Sequence, residues 1–327
     1  MVNNPAIISL ESFTWKTPEE YRIKKSIRNL DCPFPDLVDD AKVLLKRTGK
    51  KAIPYILEAI ESRVFEGDTI RYELPEVFAL FGKDSVPVLI PLLAGADETA
   101  DADDDNDDDE GDIDYGYVLQ YAAESALQEI GKTGVPLLCK GMSDTNPVIR
   151  SKIASILGEI SDKRAVPALV QALADPDNDV RSEAVQALIA IGSPSYDKVL
   201  PLLRDPSIDL QIAAITILPE VNREKGIAAI VPFFEDSREE VWDAVYDSLT
   251  EMESKPISEM IAYLDCGKKE VIIGVLNILV NVGDRTLIPI ITPFTRDVDE
   301  EIRNVADWSI EELSKEKMPP KITTIVV

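Results

Sequence analysis

The residues best placed for chemistry are carboxylates. Between Asp97 and Asp114, twelve of eighteen residues are acidic, among them Asp101, Asp103, Asp104, Asp105, Asp107, Asp108, Asp109, Glu110, Asp112 and Asp114. A like-charge block of this density does not collapse. It stands either as a solvated insertion or as an electrostatic handle for a basic protein, acting on association rate and specificity. Calcium is the third option. An EF-hand register with Gly111 at its sixth place puts Tyr117 at its twelfth, where a bidentate glutamate is required. No metal is assigned to it.

Histidine is absent from all 327 residues, which removes the commonest general base and the commonest metal ligand. Cys32, Cys139 and Cys266 are far apart and form no C-x-x-C, so they are expected as small buried hydrophobes in a reducing compartment. Glu124, Glu159 and Glu183 recur at matching helical places and raise the idea of an acid/base pair. With 60 acids in the chain, chance recurrence accounts for them. No catalytic residue and no cofactor is assigned.

The elements that position these groups repeat. Ala165 to Gly192 reads as one helix–turn–helix unit. Val166, Leu169, Val170 and Leu173 form one apolar stripe, and Val180, Ala184, Val185, Leu188 and Ile191 form a second. Pro167 falls in a first turn, and Gly192 is expected as a left-handed C-cap. The turn aspartates Asp144, Asp175, Asp205, Asp236, Asp265 and Asp297 recur at steps of 31, 30, 31, 29 and 32 residues. Two short one-sided helices cannot bury their stripes alone, and a fixed period of this size marks a stack of such units. Six residues after the aspartate stands Arg150, Arg181 or Arg303, whereas Gln211, Trp242 and Val271 replace it elsewhere.

Proline in the first helix, aspartate in the turn and arginine six residues later resemble HEAT repeats. The wording DPDNDVRSEAVQAL and the period of about 30 residues resemble the subclass called PBS-lyase HEAT-like repeats. The resemblance spans roughly Ala52 to Ser314. It implies an all-α, armadillo-like solenoid, a superhelix of about eight helix–turn–helix repeats. In such a fold Asp144/Arg150, Asp175/Arg181 and Asp297/Arg303 hydrogen-bond between neighbouring repeats as a structural ladder. The resemblance also reaches phycobilin lyases, and deoxyhypusine hydroxylase, whose di-iron site is held by His-Glu motifs. A chain without histidine speaks against the latter activity.

One elongated domain is expected: a helical cap over 1–51, the solenoid over 52–316 with the 97–114 insertion, and a tail over 317–327. Thr17-Pro-Glu-Glu should start a helix to about Asn29, and Asp36 to Arg47 should form another. Between Lys16 and Lys51 ten basic residues face six acidic ones, a local excess able to fold back on the acidic loop. Aligned on Gly192, the second helix carrying Ile272, Ile273 and Val280 is apolar almost all round. It is either buried or, with Trp242 and Tyr246, part of a docking patch on the concave face.

The net charge of −26 repels nucleic acid and anionic membranes and complements a basic protein. No signal peptide or spanning segment is apparent. The expectation is a cytoplasmic monomer and a non-catalytic scaffold that captures a basic protein partner. The alternative is a phycobilin lyase-type enzyme or a chromophore-assembly chaperone subunit.

Overall fold

The computed structural model describes residues 17–62, 72–95 and 115–315. Trp15, Arg71, the acidic loop from Asp97 to Asp114 and the tail from residue 316 lie outside the described residues. Among the described residues every regular element is a helix and there is no strand. The chain is an all-α solenoid of helical hairpins, as its period requires.

Helices α1 (Pro18–Asn29) and α2 (Pro35–Thr48) come first, then α3 (Ile53–Glu61) and α4 (Leu74–Leu80). Hairpins follow: α5 (Val86–Leu89) with α6 (Tyr115–Ile130), α7 (Val135–Gly141) with α8 (Pro147–Ile160), and α9 (Val166–Ala172) with α10 (Asn178–Ile191). The last are α11 (Tyr196–Val199) with α12 (Ile208–Val221), α13 (Arg223–Ile230) with α14 (Glu239–Glu251), α15 (Ile257–Tyr263) with α16 (Lys269–Val282), and α17 (Ile288–Ile291) with α18 (Glu300–Ser314).

Contacts divide the chain into two compact units. One runs to Ala168 and includes 177–183; the other takes 169–176 and continues from Ala184. The boundary falls inside the 165–192 repeat, where the sequence suggests one uninterrupted body. In the first unit α4, α6 and α8 pack in series; in the second, α12, α14, α16 and α18 do. The stripes face inward: Leu169, Val180, Ala184 and Leu188 are fully buried.

Turn chemistry explains why four of these hairpins close. The carboxylates of Asp144, Asp205, Asp236 and Asp297 each accept the backbone N–H two residues on, at 2.9–3.0 Å, an Asx turn leading into the second helix. Arg150 then donates to the carbonyls of Asp144 and Thr145, and Arg303 to those of Asp297 and Val298. These bonds close a repeat's own turn. A tie between repeats appears at the departure from the pattern. Gln211 donates to Asp205 O at 2.6 Å and accepts from Arg238 of the next repeat at 2.8 Å.

Thr17 caps α1 by accepting the Glu20 N–H, and Pro75 sits in the first turn of α4, where its missing N–H is not needed. Gly192 has φ +78° and ψ −142°, a positive φ that glycine tolerates but not the left-handed cap expected of it. The basic N-terminal helices engage their own neighbours. Lys24 pairs with Glu58 at 2.9 Å, and Lys42 with Glu73 at 2.6 Å.

Candidate functional site

The carboxylates singled out for acid/base work do not converge. Glu124 pairs with Lys152 at 2.9 Å, and Glu159 accepts from Gln128. The three thiols are free; burial pushes the half-buried Cys139 thiol up, and Cys266 is exposed.

The apolar patch is drawn differently in space. Ile272 and Val280 are buried at 5% and 9%, whereas Trp242, Tyr246 and Ile273 are half-buried. Helix α16 is thus largely core, and the aromatic pair on α14 is what reaches the surface. Trp242 and Tyr246 are one helical turn apart, with ring centroids 5.5 Å apart and planes within 12°. Behind them lies Phe234, 1% exposed, its ring 5.3 Å from Trp242. Phe234 fits because Gly274 of α16 has no side chain, and a Cβ there would meet the ring at 2.7 Å. Asn281 of α16 donates to Tyr246 Oη at 3.3 Å and fixes the outer ring.

One residue further along α14 from each aromatic stand Asp243 and Asp247, both exposed. Neither carboxylate has an ion pair or side-chain hydrogen bond among the described residues, and the indole N–H of Trp242 has no acceptor among them. Sequence reading found the aromatics and missed the two aspartates, whose signal is the same i, i+4 spacing shifted by one place.

Electrostatics around the turn of this repeat are settled. Hydrogen bonds from the Arg238 guanidinium hold Asp236 well below the usual carboxylate range, at about 2. The same arrangement recurs in the first unit, where Arg164 chelates Asp162, lowers it to about 2 and also donates to Lys132 O at 2.6 Å.

The HEAT repeats family matches residues 135–201. Deoxyhypusine hydroxylase of Rattus norvegicus is 38% identical over 81 residues, 24% of this chain and 26% of that protein. The Gallus gallus enzyme of the same name is 36% identical over 108 residues, 29% of this chain and 35% of that one. The chain thus spans about a quarter to a third of these relatives. Among solved structures, human deoxyhypusine hydroxylase in complex with glycerol covers 72% of this chain and 98% of its own at 16% identity, with a TM-score of 0.28. The complex of CpcE and CpcF of phycocyanin lyase from Nostoc covers 93% and 97% at 17% identity, with a TM-score of 0.29. Neither structural likeness bears on function.

These relatives correct the expectation from sequence. They are named for an enzyme, so the non-catalytic scaffold and the leaning against catalysis do not stand. The His-Glu di-iron centre that the resemblance implies does not fit this chain, which has no histidine. Among the described residues no three Asp, Glu or Cys side chains converge to hold a metal. No helix among them is long and apolar enough to cross a membrane.

Proposed function

We propose that this HEAT-repeat chain is a protein-modifying enzyme of the deoxyhypusine hydroxylase lineage. It acts on an aliphatic, amine-bearing side chain, and its chemistry does not run through a histidine-held metal. The carrying observation is the 38% identity shared with an enzyme whose name gives deoxyhypusine as its substrate. Deoxyhypusine is cationic at neutral pH, and the net charge of −26 supplies the complementary field. The repeats are of the PBS-lyase HEAT-like type, a reading supported by their period of about 30 residues. The protein works as a cytoplasmic monomer on a basic protein substrate, avoids nucleic acid and membrane surfaces, and uses the acidic stretch from Asp101 to Asp114 as an electrostatic handle.

Mass spectrometry tests the reading. A deoxyhypusine-bearing protein domain is incubated with the full chain, with and without ferrous iron. A covalent change at that side chain is the expected result. An unchanged mass under both conditions overturns it.

A further inference from the structure

We propose that the Trp242–Tyr246 face of α14 is the docking surface for the cationic, alkylamine-bearing side chain of a protein substrate. The proposal rests on the substrate class named above and assigns the residues that take it.

Trp242 occupies the place where Arg150, Gln211 and Arg303 close their turns. In this repeat Arg238 stabilises the turn from inside it, binding Asp236 at 2.9 and 2.6 Å. The indole is therefore free of the duty its position carries elsewhere. It stacks on Tyr246, is backed by buried Phe234, and has no acceptor for its N–H among the described residues. A ring pair held from behind and by Asn281 presents a fixed π surface. Cations within about 6 Å of such a ring are attracted to it.

Charge settles the class of occupant. Helix α14 carries Glu239, Glu240, Asp243, Asp247 and Glu251 and no lysine or arginine. An anionic or purely apolar segment laid on this face would leave Asp243 and Asp247 beside it uncompensated. An ammonium group sits against the aromatic pair with Asp243 and Asp247 alongside, and its alkyl stem covers ring surface.

Isothermal titration of the full chain at low salt, with a deoxyhypusine-bearing peptide and with spermidine as probes, tests this. The Asp243→Asn/Asp247→Asn variant and the Trp242→Leu variant should each bind at least tenfold more weakly. Trp242→Phe, which keeps a ring but a weaker π face, should fall between the parent and Trp242→Leu, and Glu311→Gln, an exposed acid on α18, should bind like the parent. Should Trp242→Leu melt early, the doubly substituted surface variant carries the test alone. A parent that binds neither probe, or variants that bind as tightly as the parent, overturn the docking surface. Binding lost in the variants while the parent leaves the probe's mass unchanged would sink the enzymatic reading and leave the surface standing. A mass change that persists in the variants with undiminished binding would do the reverse.

Discussion

Gly274 is the residue on which the packing of Phe234 turns. Replacing it by alanine would gain about 1 kcal/mol of helix propensity. The new Cβ would lie 2.7 Å from the Phe234 ring, which is 1% exposed and has no room to withdraw. Overpacking of this kind costs about 1–3 kcal/mol, so the second effect wins. Gly274→Ala should lower the denaturation midpoint of the full chain, and Phe234→Leu in the same chain should recover part of the loss. A single variant as stable as the parent would remove the contact from this account. Residue types alone could not show it: a glycine amid apolar neighbours looks like a weak helix position, and nothing local marks a ring arriving from the preceding repeat. Trp242 was legible as a departure from the arginine series. Its partnership with Phe234 was not, because it depends on how α14 turns against that ring.

At the scale of elements, the turn is the best specified part. Asp in the turn and a donor six residues on are written in the sequence; at Asp144/Arg150, Asp205/Gln211 and Asp297/Arg303 the carboxylate takes a backbone N–H and the donor takes backbone carbonyls, while Arg181 donates to the Asn178 side chain. Less legible is the second proline. Pro91, Pro201, Pro232 and Pro293 each open a 3-10 stretch that replaces the end of the first helix. Without an N–H they cannot continue the i to i−4 ladder, so the helix tightens. The Asp162–Arg164 and Asp236–Arg238 pairs carry a pH signature. Both carboxyls fall from 3.8 to about 2 in the folded chain. A depressed folded-state pKa gives stability that is complete above the unfolded value and disappears as pH falls through the folded one. The parent should therefore lose stability between about pH 4 and pH 2 more steeply than an Arg164→Ala/Arg238→Ala chain. Thermal melts across that window measure the difference, and parallel curves would refute it.

At the scale of the whole molecule, charge dominates. Removing the twelve acids between Asp97 and Asp114 would leave −14 of the −26, so the described helices remain acidic without the loop. With no histidine, no side chain of ordinary pKa titrates near neutrality. Electrophoretic mobility should be flat between about pH 6 and pH 7.5 and should fall only as carboxylates protonate below. A step inside that interval would show acids forced upward by crowding. Composition made this charge plain; it could not show the division into two units, which depends on where contacts thin out.

The hollow at Gly274 also fixes the order of the modules. The equivalent places on six other second helices, counted from each helix start, hold Gln120, Lys152, Glu183, Ala213, Ala244 and Val305. Any of these, transplanted beneath Phe234, would strike the ring. The segments carrying Phe234 and Gly274 are matched as lock and keyway, and a chain shuffled or lengthened by copying modules could not be cut between them.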